Sequence, residues 1–268
     1  MVEIMAIVNL TPDSFFAPSR VRAEEAQERI RKLRAEGADI IDLGAISTRP
    51  GAADVSLREE WRRLAPVVRN WDGGIPLSVD TTRAEIVRRV YDCVGSFLVN
   101  DISAGEDDPD MLATVGRLGL PYVAMHKRGN PRTMDAQCDY PDGVMAALKA
   151  YFTDFARRAE EHGIADWILD PGLGFAKTAE QNWEILERLE ELRPFGRRIL
   201  IGAADKRFTG GDTEKAHRIA LQHGADILRV HDVPAAIRTA RVGVVEGGAG
   251  IGFSSNCTKN NFGPPAGE

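Results

Sequence analysis

Residues 167–203, WILDPGLGFAKTAEQNWEILERLEELRPFGRRILIGA, hold two short apolar runs separated by one amphipathic stretch. WILD (167–170) and ILIGA (199–203) are too short for helices and almost continuously apolar, as strands buried on both faces are. The stretch 179–192 between them spaces its apolar residues as a helix does, so the unit is strand, helix, strand. Parallel strands need such a crossover, and the same cadence extends in both directions. Upstream lie IMAIVN (4–9), DIIDLG (39–44), PLSVD (76–80), SFLVND (96–101) and PYVAMH (121–126); downstream lies DILRVHD (226–232). Helical periodicity recurs near 22–36, 56–71, 82–92, 107–118, 143–162 and 212–223, and an eighth helix is expected to start near Pro234. Eight strands alternating with eight helices predict an α/β fold, a single (βα)8 TIM barrel over residues 1–243, with a doubly wound open sheet as the alternative.

Local signals agree with this division. Asp142 is placed to cap the long helix that follows it, and Gly163 to end that helix, with similar stops at Gly37, Gly95, Gly119 and Gly224. Residues 244–268 turn to Gly, Ser, Asn and Pro and are expected to form a flexible tail. The tail contains GGAGIG (247–252), which resembles a phosphate-binding loop but has no strand before it and no helix after it. A hydrophobic share of 43% with 28% charged residues excludes disordered and fibrous classes. A net charge of −6, without a long basic run, argues against a nucleic-acid partner. No apolar run approaches the ~20 residues that span a bilayer, and the first residues show neither a basic leader nor a cleavage site, so a cytoplasmic protein is expected. Cys93, Cys138 and Cys257 lie far apart without metal-ligand spacing and are expected to be free thiols.

In such a barrel the active site lies at the carboxyl ends of the strands, and here each of those ends carries polar residues. They are Asn9 with Thr11, Asp13 and Ser14; Thr48 and Arg49; Asp80; Asn100 and Asp101; His126; Asp170; Asp205, Lys206 and Arg207; and Arg229, His231 and Asp232. Some have simpler explanations: Asp13 and Ser14 can order a turn, Asp101 and Asp232 can cap helices, and His126 can be a hydrogen-bonded structural histidine. Asp80 and Asp170 are harder to set aside, because a carboxylate at the end of a buried strand needs a partner. Contributions from all eight strands favour a small-molecule site. The carboxylates and the Asn100 amide suit a ring with guanidine-like N–H donors, whereas Arg49, Arg229, His231 and Lys206 suit a phosphate or diphosphate.

The segments AIVNLTPDSFF (6–16), GADIIDLGAISTRPGA (37–52), LSVDTTRAEI (77–86), VNDISAG (99–105), MHKRGNPRTM (125–134), LDPGLGFAKT (169–178) and GADILRVHDV (224–233) together resemble the dihydropteroate synthases of folate biosynthesis. The resemblance implies condensation of 6-hydroxymethyl-7,8-dihydropterin diphosphate with p-aminobenzoate, assisted by Mg²⁺, in a homodimer formed through helices away from the site. It implies that Asp170 binds the pterin 2-amino and N3 edge, with Asp80 and Asn100 on the opposite edge and Lys206 on the carbonyl side. Asn9, Arg229 and His231 would hold the diphosphate, Asn9 also touching the metal and Arg229 lying against the pterin face. The catalytic set so implied is Asp80, Lys206, Arg229 and His231. Thr48, Arg49 and Pro50 would complete a p-aminobenzoate pocket walled also by Phe175. Pterin-dependent methyltransferases and a non-catalytic or repurposed pterin-binding paralogue are the alternatives; the first has no diphosphate to hold.

One segment departs from the resemblance. Where the family usually has Gly-x-Ser-Arg-Lys-Ser, this chain has GAADKRF, keeping Gly202 and Lys206 but placing Ala204, Asp205 and Arg207 at the other positions. Ala17 and Ile46 stand where the first two loops often carry acids, and the link TGGDTEKA after strand seven is short. Arg207 can serve the p-aminobenzoate carboxylate through charge-assisted bonds. The expectation is a synthase with an altered p-aminobenzoate pocket and an altered sulfonamide response.

Overall fold

A computed structural model describes residues 2–10, 23–46, 54–129, 133–204 and 206–246, without the side chains of 23, 24, 135 and 242–246. Its strands are β1 (Glu3–Asn9), β2 (Ile40–Gly44), β3 (Leu77–Asp80), β4 (Leu98–Asp101), β5 (Tyr122–Met125), β6 (Trp167–Asp170), β7 (Leu200–Ile201) and β8 (Ile227–Val230). The helices are α1 (Ala23–Ala35), α2 (Leu57–Val68), α3 (Ala84–Val94), α4 (Met111–Leu118), α5 (Val144–Glu161), α6 (Ala179–Glu187), α7 (Thr213–Gln222) and α8 (Val233–Glu246). The strands form one parallel sheet in the order β6-β5-β4-β3-β2-β1-β8-β7. A parallel bridge between Leu169 and Ile199 brings its two edges together, and the Leu169 amide donates to the Arg198 carbonyl at 2.9 Å. The expected (βα)8 barrel is the observed fold.

Period-two alternation sorts each strand between barrel interior and helical layer. Met5, Ile40, Leu98, Val123, Ile168, Leu200 and Ile227 form an isolated apolar cluster that plugs the barrel floor. The alternate residues, such as Ile4, Ala6, Ile41, Val99, Tyr122 and Leu169, join the larger core between sheet and helices. Two residues further along the same inward rows stand Asp42, Asn100, Met125, Asp170, Gly202 and Arg229. On β2, β4, β6 and β8 an apolar floor therefore gives way to a polar layer within one step of the strand.

Several boundaries differ from expectation for physical reasons. β7 has two residues rather than five, because only Leu200 and Ile201 keep their ladder with β8. α4 begins at Met111, since Asp108 upstream turns its carboxylate to the Ala84 amide (2.8 Å) and caps α3 instead. The long helix α5 has Gly143 at its N-terminal cap with no side-chain bond, so Asp142 does not cap it. The expected stops hold: Gly37, Gly95, Gly119, Gly163 and Gly224 all have positive φ. α6 ends at Glu187 and tightens into a 3-10 turn over Leu189–Phe195. α8 runs to Glu246, beyond the expected barrel limit at 243; the rest of the tail, with GGAGIG and Cys257, lies outside the described residues. Cys93 and Cys138 are free thiols, and no described helix is long and apolar enough to cross a membrane.

Candidate functional site

The polar layer is organised around a carboxylate that the sequence reading passed over. Asp42, fully buried on β2, accepts from Ser78 Oγ on β3 (2.6 Å), Asn100 Nδ2 on β4 (3.2 Å) and Arg229 Nε on β8 (2.7 Å). Arg229 also reaches Asp80 Oδ2 on β3 through Nη2, again at 2.7 Å. One guanidinium thus forks across two carboxylates from neighbouring strands, a geometry its planar donors suit. The acceptor-rich and cationic regions expected as separate are interlocked through this side chain.

Burial sets the electrostatics. It raises Asp80 to about 7; Arg229 opposes the shift and Asp42 adds to it. Burial also works against the charge of Arg229, but Asp42 and Asp80 outweigh it and hold the guanidinium above its ordinary value. Asp170, on the inward row of β6, is raised by burial, while the Gly172 amide donating to its Oδ1 at 2.8 Å pulls the other way. The inward layer therefore presents carboxylates whose charged forms need a cation or hydrogen-bond donors beside them.

Asn9 and Asp80 flank Gly44. A Cβ on that glycine would lie 3.2 Å from Asn9 Oδ1 and 3.8 Å from Asp80 Cβ, so glycine keeps the inward surface open between them. Across the barrel, Lys206 Nζ sits 4.4 Å from the centroid of the Phe175 ring, a cation–π contact that joins the loop after β7 to the loop after β6. Arg207 is exposed at the head of a 3-10 turn, Arg207–Thr209. His231 is half-buried just past β8, and its carbonyl accepts from Arg29 at 3.3 Å. Thr48, Arg49, Pro50, Asp205 and the first-loop residues Thr11, Asp13, Ser14 and Ala17 lie outside the described residues.

Three strand-end residues belong elsewhere. Asp101 accepts from the Ser103 amide and hydroxyl, the Gly105 amide and the Tyr122 hydroxyl, so it orders the β4–α4 loop rather than capping a helix. Asp232 caps α8 through the Ala235 amide at 2.9 Å, as anticipated. His126 is buried edge-on to Tyr151 and shares a hydrogen bond with Lys177, the structural alternative that its position allowed. Side-chain parity separates these three from the inward rows, and the same parity marks Asp42: it lies two residues beyond Ile40 on β2.

No cluster of three or more His, Cys, Asp or Glu placed to hold a metal lies among the described residues. Chemically, the inward layer offers carboxylate and amide acceptors at Asp80, Asn100 and Asp170 and a guanidinium, Arg229, already paired with Asp42 and Asp80.

Comparison with known proteins finds relatives over nearly the whole barrel. The family described as pterin binding enzyme matches residues 5–231. A dihydropteroate synthase of Synechocystis sp. is 39% identical over 256 residues, 89% of this chain and 88% of that protein. The Yersinia pestis dihydropteroate synthase, solved as a sulfonamide drug complex, superposes with a TM-score of 0.87 at 32% identity, covering 92% of this chain and 95% of the other. The Thermus thermophilus enzyme in complex with 4-aminobenzoate gives 0.79 at 38% identity, with 91% and 94% covered.

Proposed function

This chain belongs to the pterin-binding enzymes and, among them, to the dihydropteroate synthases, and from that premise we propose how its residues divide the reaction. Dihydropteroate synthesis transfers a pterinylmethyl group from 6-hydroxymethyl-7,8-dihydropterin diphosphate to the amine of p-aminobenzoate, releasing diphosphate. The observation that carries the residue assignment is the inward polar layer at the carboxyl ends of the strands, where Arg229 joins Asp80 to Asp42, Asp42 holds Asn100, and Asp170 ends the inward row of β6.

Asp170 and the Asp80–Asn100 pair take opposite N–H edges of the pterin, and Lys206 takes its carbonyl side. If the C–O bond breaks ahead of attack, positive charge grows on the pterin methylene and negative charge on the diphosphate. Carboxylates near the ring and cations near the phosphates then both lower the barrier. Arg229 and His231 hold the leaving group, with Arg229 also against the pterin face. The arylamine is a neutral nucleophile at pH 7, so the protein's remaining task is to orient it and exclude water. Phe175 supplies an apolar wall for it, supported by the contact with Lys206; Thr48, Arg49 and Pro50 complete that pocket in the proposal.

Asn9 is the protein's contact to Mg²⁺ in this reading. One amide oxygen and no ready-made acidic cluster among the described residues suit an ion that arrives on the diphosphate, since Mg²⁺ keeps waters and phosphates among its ligands. When bound, the ion offsets charge on the leaving group. We further propose a cytoplasmic homodimer, supported by the family resemblance; light scattering in solution reads its mass directly.

The p-aminobenzoate side is the altered one. Arg207, exposed one residue after Lys206, is assigned the substrate carboxylate. Arg207→Ala should raise KM for p-aminobenzoate about tenfold and leave KM for the pterin diphosphate unchanged. Sulfonamide inhibition indistinguishable from that of a synthase with the usual Ser-Arg-Lys-Ser segment would reject the altered pocket. The reaction itself is tested by diphosphate release from the pterin diphosphate and Mg²⁺, with and without p-aminobenzoate. Release that requires p-aminobenzoate and yields dihydropteroate supports the assignment; pterin binding without turnover supports the non-catalytic alternative.

A further inference from the structure

The loop between β6 and α6 closes around a buried ammonium. Lys177 Nζ donates to the carbonyls of Gly172 and Phe175, each at 2.9 Å, and lies 3.0 Å from His126 Nδ1. An ammonium has three protons, and these are three acceptors at good distance; the His126 carbonyl at 3.5 Å is a fourth, longer neighbour. Lys177 and His126 are 8% and 3% exposed, so no bulk water replaces these partners. The loop bends to reach them: Gly172, Gly174 and Ala176 all have positive φ, and left-handed backbone is unusual for alanine.

The two carbonyls gathered on Lys177 belong to the residues that set both halves of the proposed site. The Gly172 amide donates to Asp170 Oδ1, which orients that carboxylate for the pterin edge. Phe175 carries the ring beneath Lys206. Neither Lys177 nor His126 is needed to touch a substrate, yet their shared bond ties the β5 end to both subsites.

We infer that Lys177, braced by His126, is a positioning residue for the transfer reaction, fixing Asp170 and Phe175 relative to each other so that the pterin and the arylamine meet in register. This rests on the synthase reading above. Its consequence is that losing the ammonium loosens both substrates at once, where loss of a residue that touches one substrate weakens that one.

Protonation gives a readout that a mere brace lacks. Burial lowers Lys177 to about 7, with Asp170 holding it up and Lys206 and Arg128 pushing it further down; Cys138 also faces it and raises it. His126 is lowered to about 2, by burial first and then by Lys177 and Arg128, so its ring is a neutral acceptor at working pH. The neutral amine has two protons for three acceptors, so kcat/KM should fall as pH rises above about 7.

The test measures kcat and both KM values from pH 6 to 9 for the wild type, Lys177→Met and His126→Gln, with thermal melts to establish folding. Lys177→Met should raise KM about tenfold for p-aminobenzoate and several-fold for the pterin diphosphate, and should lose the alkaline fall. His126→Gln keeps Lys177 but removes the ring that braces it, so both KM values should rise and the alkaline fall should leave its wild-type position. A folded Lys177→Met with both KM values and the alkaline limb unchanged would overturn the inference. If Lys177→Met does not fold, an unchanged pH profile and unchanged KM values in His126→Gln would overturn it equally. Wild-type turnover in the same series keeps the two readings apart: its absence rejects the synthase assignment, whereas normal wild-type turnover beside unaltered variants rejects only the role of Lys177.

Discussion

Asp42 shows how a carboxylate that no substrate need touch can shape a site. Buried between Ser78, Asn100 and Arg229, it holds the amide and the guanidinium that face the cavity, and its charge is matched by that guanidinium. Removing one partner of a buried pair leaves the other uncompensated, at a cost of roughly 3–5 kcal/mol. Asp42→Asn should therefore destabilise the protein by about 3 kcal/mol in urea unfolding and weaken binding of the pterin diphosphate in calorimetry, although the side-chain volume hardly changes. Unchanged binding would mean that Arg229 keeps its place through Asp80 alone. The residue escaped the sequence reading because DIIDLG looks like a buried strand, and attention to strand ends favours the last polar residue over one two positions earlier. Alternation carries the missing information: Ile40 points to the barrel floor, hence Asp42 points to the cavity. Lys177 was missed for a different reason. Between apolar FA and the helix cap Thr178 it resembles any solvated loop lysine, and only the fold brings Gly172, Phe175 and His126 around it.

At the level of elements, the β6–α6 loop and α7 make contrasting demands. In the loop, a Cβ on Gly172 would stand 2.0 Å from the His126 carbonyl oxygen, at a φ of +67° that alanine resists. Gly172→Ala should cost about 3 kcal/mol of stability by denaturant titration and lower turnover, since the Gly172 amide orients Asp170. On α7, His217 is buried with no hydrogen-bond partner at Nε2 among the described residues, and burial lowers it from 6.5 to about 4. The unfolded chain binds that proton more tightly than the folded one. Stability present above pH 6.5 is thus lost as pH falls toward 4, by up to ~3 kcal/mol. His217→Leu should show a smaller fall in Tm between pH 7 and pH 4.5 than the wild type, and an equal fall would assign the acid sensitivity to other groups. The elements themselves were legible because their apolar periods are strong and glycine stops recur. Boundaries slipped where tertiary partners decided them, as when Asp108 capped α3 instead of leading α4.

For the whole molecule, counting eight strand–helix units sufficed to predict closure, but not where the closure is weakest. β1 and β2 pair over five positions, while the edges formed by β6 and β7 meet at the single Leu169–Ile199 bridge. Amide hydrogen exchange under native conditions should therefore run faster at Leu169 than at Ile41 and Leu43, and uniform protection around the barrel would contradict this. The expected p-aminobenzoate residues Thr48, Arg49 and Pro50 lie outside the described residues, whereas on the side proposed for the pterin Arg229 joins Asp80 to Asp42, which holds Asn100. In the proposed function this inward polar layer, together with Asp170, performs the transfer. The most direct test is kcat/KM for the pterin diphosphate in Asp170→Asn against the wild type, with dihydropteroate identified as the product and folding checked by a thermal melt. A folded variant about 100-fold less efficient is the predicted result, because the amide presents a donor to the ring's N–H edge where the carboxylate accepts. A folded variant within about twofold of the wild type would contradict the assignment of the pterin site.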